Sequence, residues 1–207
     1  FSRPSFESRP HRGFGLTIQL AYDNLVAFNT FIKNGEGGIM TWNDSRDSDP
    51  AYEPTRSRRN HIYNNLFVNN LQGPSPEENQ MQLADLAEGE NVFTGYSNQV
   101  NGNAYWPANN GKGFGALYHV PDPQGGTGNF KAESLSEWQS RTIHDSSSFV
   151  VSTGEPHVAD PDDAAEGWRL VSNSQLTNEA VPLPDQFAPV LRDFDGDPRP
   201  VAEADIG

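Results

Sequence analysis

Just past Trp42 the chain carries Asp44, Arg46, Asp47, Asp49, Tyr52, Glu53, Arg56, Arg58 and Arg59, and the stretch ends at His61. Carboxylates, guanidinium groups and an imidazole crowded this closely allow two bond-cleaving chemistries. In a β-elimination a cation neutralises a substrate carboxylate, which acidifies the neighbouring carbon, and a base removes the proton. Arg46, Arg12 and His61 are the candidates for those steps, with Asp44 and Asp47 as further catalytic carboxylates. Asp44, Asp47 and Asp49 together offer oxygen ligands of the kind Ca²⁺ takes. A hydrolase needs paired carboxylates instead, about 5 to 5.5 Å apart for retention or 6.5 to 9.5 Å for inversion. Asp44 with Asp47 or Glu53 is then the pair to inspect. The excess of Arg around the segment favours elimination.

Positioning and recognition fall to other residues. Trp42 offers an aromatic platform, and strand alternation in GGIMTWND places it on the same face as Gln19 of the preceding segment and Gln82 of a following one. Glu53 and Arg56 in the polar segment, His11 ahead of the first strand and Lys112 in NGNAYWPANNGKGFG complete the expected binding set. Each has a plain structural alternative: Trp42 as core, the charged segment as a solvated loop, His61 packed over the edge of the core. Tyr105 and Trp106 read as packing residues, and His144 as part of a structural segment around Trp138. DFDGD at 193 to 197 lacks the Glu that completes a calcium loop and reads as structural.

The elements that must hold these groups announce themselves by repetition. NLVAFNTFIKN at 24 to 34 and NHIYNNLFVNN at 60 to 70 align with Val26 on Ile62, Asn29 on Asn65, Phe31 on Phe67 and Asn34 on Asn70. Short alternating strands broken by Asn-rich turns, none able to bury its apolar face alone, imply segments stacked on one another. Setting aside the inserted polar loop leaves a period of about 22 residues, within the range of solenoid repeats. The expected core column is Leu16, Ile18, Val26, Phe31, Ile39, Ile62, Phe67, Met81 and Leu83. Nineteen Gly, sixteen Pro and a 34% hydrophobic content agree with short strands and many turns.

Length and charge narrow the field. The 207 residues suffice for one domain. No apolar run is long enough to cross a membrane as a helix, and the N-terminal residues lack the apolar stretch of a signal peptide. There is no Cys, which excludes disulfides and thiolate sites. The net charge of −14 disfavours nucleic acid as a partner. Residues 1–60 carry eight basic against seven acidic groups, and the remainder six against twenty-one. A local anionic ligand therefore belongs to the Arg-bearing part.

The N-x-I-x-N-N-x-F-x-N-N phrase resembles a coil of the right-handed parallel β-helix found in bacterial polysaccharide lyases and glycoside hydrolases. AESLSEWQSRTIHDSSSFV and the ending DFDGDPRPVAEADIG are similar to the C-terminal portion of such proteins. The resemblance implies an all-β fold over residues 1–207, with coils and a loop insertion at 13–106. Irregular coils, a short helix carrying Trp138 and a terminal strap follow at 107–207. It further implies secretion or a periplasmic location, and degradation of an acidic polysaccharide by β-elimination. A hydrolase or a non-catalytic carbohydrate-binding or adhesin-like module are the alternatives. Because nothing ahead of residue 13 reads as a closing coil, upstream coils of the same β-helix are expected, as a partner chain beside the polysaccharide or as a missing part; no cofactor is required by the sequence, and Ca²⁺ is the one ion its carboxylates could take.

Overall fold

Three corners recur in the repeat, and each is a residue with positive φ followed by Asn. Asp23, Phe28 and Lys33 precede Asn24, Asn29 and Asn34, while Arg59, Asn64 and Asn69 precede Asn60, Asn65 and Asn70. The left-handed conformation costs a non-glycine residue about 1 kcal/mol or more. It turns the chain sharply enough that strands of three residues can lie on neighbouring sides. The Asn that follows each corner then bonds to the equivalent Asn of the next repeat.

The computed structural model describes residues 13–19, 21–42, 59–70, 79–84, 98–106, 113–121, 127–142, 144–152, 158, 169–187, 192, 196–198 and 204–206. Strands β1 (Phe14–Gln19), β4 (Gly37–Trp42), β7 (Asn79–Ala84), β10 (Gly113–Pro121) and β11 (Thr127–Ala132) form a sheet in the order β1-β4-β7-β10-β11. β2 (Leu25–Ala27), β5 (His61–Tyr63) and β8 (Gln99–Asn101) form a second. β3 (Thr30–Ile32), β6 (Leu66–Val68), β9 (Ala104–Trp106) and β12 (Phe149–Val150) form a third, in the order β12-β9-β6-β3. The small sheets are parallel, with Val26 opposite Ile62 and Val100, and Phe31 opposite Phe67 and Tyr105.

The stack is held from within by two kinds of column. Ile39, Ile62, Phe67, Val100, Tyr105, Phe114 and Trp138 form the principal core, with Leu16, Val26 and Phe31 packed against it at half-burial. Phe31, Phe67 and Tyr105 stack with centroids 5.1 and 5.0 Å apart, and Phe114 meets Tyr105 edge-on at 4.8 Å. Asn side chains supply the polar column. Asn65 Oδ1 accepts from the Asn29 backbone N–H at 3.1 Å and its Nδ2 at 3.2 Å, and Asn103 Oδ1 accepts from Asn65 at 2.9 and 3.1 Å. Asn24–Asn60–Asn98 and Asn34–Asn70 repeat the arrangement. Corner backbone groups that burial would leave unsatisfied are thereby bonded.

The expectation of an all-β, right-handed parallel β-helix is corrected. The parallel rows form only part of a mixed domain, in which α1 (Leu135–Arg141) enters the core through Leu135 and Trp138 and β10–β11 is antiparallel. The C-terminal part adds isolated antiparallel bridges, Val158 to Leu170 and Arg192 to Pro198, rather than further coils. The helix has its own local code. Ser134 accepts from the Glu137 N–H at 3.1 Å and Glu137 reaches back to the Glu133 N–H at 2.8 Å, a reciprocal cap. The expected partner, an upstream chain of the same β-helix, is corrected with the fold: the expectation rested on a solenoid needing a closing coil, and the domain is mixed. Met81 and Leu83 of the expected core lie in β7 opposite Ile39 and Thr41; their side chains are outside the described set.

Gly115 shows how closely helix and sheet approach. A Cβ there would stand 2.5 and 2.7 Å from the Trp138 ring carbons Cε3 and Cζ3. Gly115→Ala should therefore lower stability by about 2 kcal/mol or more, the scale of core overpacking, read as a fall in the urea midpoint. A loss below about 0.5 kcal/mol, the level of a neutral surface change, refutes the close-approach argument.

Candidate functional site

Two surfaces carry the residues singled out from sequence. On the five-stranded sheet Gln19 is exposed and its backbone pairs with that of Trp42. Gln82 pairs with Met40, one row along from Thr17. Ile18, Ile39 and Thr41 between them are buried. Of Trp42 and Gln82 only the backbone is described. Arg12, His11, Asp44, Arg46, Asp47, Asp49, Glu53, Arg56 and Lys112 lie outside the described residues. Among the described residues no group of three or more His, Cys, Asp or Glu could hold a metal ion.

His61 stands on a different sheet from Trp42. In β5 it pairs with Leu25 and Gln99, and the residue is 5% exposed. The ring lies edge-on to Phe187 at 4.8 Å, and its Nε2 is 3.3 Å from the Gln186 side-chain nitrogen. Its Nδ1 is buried without a hydrogen bond among the described residues. Burial lowers the His61 pKa, with Asp23 and the Gln99 side chain acting in the opposite direction. Tyr63, two residues along, donates its hydroxyl to Gln99 Oε1 at 2.8 Å. At the rim Arg59 grips Asp23 through two bonds of 2.6 Å and lies 5.6 Å from the Tyr22 ring centroid, which raises the guanidinium pKa.

A third cluster escaped the sequence reading. Asp145 is fully buried and accepts from Asn103 Nδ2 and the Tyr105 hydroxyl at 3.2 Å, from Trp138 Nε1 at 3.0 Å, and from Ser148 Oγ. Burial raises its pKa and the four donors act against that rise. The Tyr105 hydroxyl is pushed well up by burial and by the adjacent carboxylate. Ser148 Oγ also accepts from the Asn103 backbone N–H at 2.8 Å, so it stands where the next Asn of the column belongs. The cluster thus ties the column Asn29–Asn65–Asn103 to α1. The signal in sequence is Gly102-Asn103, a corner like Asn64-Asn65, followed by the lone acidic residue of HDSSS.

His144 is 2% exposed, and burial takes its pKa down to about 3. Its ring stacks on Trp138 at 6.2 Å. Both this imidazole and the Asp145 carboxylate are enclosed in the core, the setting of a structural group rather than of a surface acid or base.

No family model, curated protein or solved structure matches the chain. The reading as a polysaccharide lyase or glycoside hydrolase, with its polysaccharide partner and the carbohydrate-binding and adhesin alternatives carried on the same β-helix, is corrected. It rested on an all-β scaffold, and the architecture is mixed.

Proposed function

We propose that the domain is a non-enzymatic display scaffold whose binding segment is residues 43–58. The observation that supports this is how firmly the two ends of that segment are held. β4 lies between β1 and β7 and ends at Trp42. At the other end Arg59 is clamped to Asp23, and the fully buried Asn60 is bonded to Asn24, Ala21 and Asn98. Binding residues concentrate on segments that a rigid frame positions. Arg46, Glu53 and Arg56, with Trp42 and Gln19 on the adjoining sheet, are the contacts proposed for a polar partner, and Asp44, Asp47 and Asp49 a Ca²⁺ site within the same segment.

The test is replacement of residues 43–58 by a Gly/Ser linker of the same length. The melting temperature should stay within about 4 °C of the parent, corresponding to roughly 1 kcal/mol for a domain of this size. Calcium should raise the parent's melting temperature and leave that of the replaced chain unchanged. A cooperative unfolding lost or displaced by more than about 10 °C, several kcal/mol on that scale, makes the segment part of the core and overturns the reading.

A further inference from the structure

All three sheets of the stack end on the same side, in the first repeat. β1, β2 and β3 are each the outermost strand of their sheet, and among the described residues no strand pairs with their outer edges. The opposite side is closed by the chain itself. There β11 covers β10, β12 covers β9, and the Val100 carbonyl of β8 receives the Asp145 N–H at 2.6 Å.

Burial follows the same asymmetry. Ile39, Ile62 and Phe67 in the second repeat are fully enclosed, whereas Leu16, Val26 and Phe31, which pair with them from the first, are half-buried. The Asn columns stop there too. Each Oδ1 accepts from the Asn one repeat earlier, so that Asn29 fills Asn65 and Asn65 fills Asn103. Among the described residues nothing donates in this way to Asn24, Asn29 or Asn34, the first rung of each column. Strand edges beside a half-covered core are a template for pairing with another chain.

The segment that forms this end is nearly symmetric in residue type about its Phe28-Asn29 corner. Val26 corresponds to Phe31, both turned to the core, Ala27 to Thr30, Leu25 to Ile32, and Asp23-Asn24 to Lys33-Asn34 in reverse. A twofold axis from the middle of β1 to that corner therefore lays β2 against β3 of a second copy, core residue facing core residue. It also brings the exposed Lys33 of each copy to the exposed Asp23 and to Asn24 of the other. Asp23 already holds Arg59, and a carboxylate has lone pairs to accept a second cation. Residues 13–36 carry only Asp23, Lys33 and Glu36 as charged groups in a chain of net charge −14. Two copies meeting there bring little of their like charge together.

We propose that the first-repeat end, formed by β1, β2 and β3, is the interface of a homodimer in which Lys33 of each copy pairs with Asp23 of the other. A twofold contact closes at two copies, and the covered far end gives a third no equivalent place to add. The test does not involve residues 43–58, so the two readings can fail separately.

Sedimentation velocity of the full chain should show its mass rising from one chain to two between about 1 and 100 µM. Lys33→Glu sets carboxylates against each other twice per dimer and should weaken association at least about tenfold. Its exposed side chain leaves the fold of each copy intact, which circular dichroism checks. Carbodiimide treatment of the unaltered protein, mixed from chains of two isotopic compositions, should join the Lys33 Nζ to the Asp23 carboxyl as an amide, the reagent taking up the water released. The joined peptides should carry both isotopic compositions. A single-chain mass throughout that range, association unchanged by Lys33→Glu, growth beyond two chains, or Lys33–Asp23 peptides of one isotopic composition only would each overturn the proposal.

Discussion

Asp145→Ala should cost the domain about 3–5 kcal/mol, the range for removing the acceptor from buried donors and leaving them unpaired. Four donors converge on that carboxylate: Trp138 Nε1, the Tyr105 and Ser148 hydroxyls, and Asn103 Nδ2. Each loses a bond in a place water does not reach, and Asn103 in turn holds Asn65. The backbone adds to the loss, because Asp145 has φ 58° and alanine tolerates that conformation less well than Asp or Asn. Asp145→Asn keeps the size and one carbonyl acceptor, so a smaller loss of about 1–3 kcal/mol is expected. Urea unfolding of both variants measures the difference. If alanine costs under about 1 kcal/mol, the level of one ordinary hydrogen bond, the cluster is not the tie between column and helix described above.

Acidification should destabilise the domain through His144. Its pKa falls from 6.5 in the unfolded chain to about 3 in the fold, because burial penalises the cation. A lowered folded pKa means that the unfolded chain takes up the proton first. The stability is therefore complete above about pH 6.5 and is lost as pH falls toward 3. At pH 4 the loss from this residue should reach about 3 kcal/mol. Asp145 acts in the opposite sense. Its pKa is raised, so its contribution is present at low pH and declines as pH rises through the folded value. The two are separated by comparing the parent with His144→Gln at each pH. The difference in unfolding free energy should change by about 3 kcal/mol between pH 7 and pH 4, and a difference that stays flat means that His144 is not kept neutral by the core.

Asparagine and aromatic spacing alone revealed the thirty-six-residue correspondence that the ladder bonds display. It was legible because a corner residue and the amide after it must recur wherever identical short strands are to stack. Asn29 on Asn65 and Phe31 on Phe67 are local patterns that no distant contact needs to supply. The inward placement of Ile39, Ile62 and Phe67 followed for the same reason, since alternation along a strand fixes which side chains can meet. The reading failed where a partner comes from far along the chain. Nothing in RTIHDSSS states that Asp145 will collect a tyrosine forty residues earlier and a tryptophan seven earlier, because the two approach it only after α1 has docked on β10.

The all-β expectation erred at that same junction. A repeat establishes how neighbouring segments lie on each other but not how the stack ends, and here it ends in an antiparallel strand and a helix. His61 illustrates the division most simply. Its place at the start of a strand in the repeat was evident, but its burial was not, because the residues that cover it, Gln186 and Phe187, lie 125 residues further on or more. Local chemistry determined the strands, corners and columns. The docking of distant segments, governed by shape and by the pairing of buried polar groups, decided which surfaces remained open and which polar side chains were enclosed.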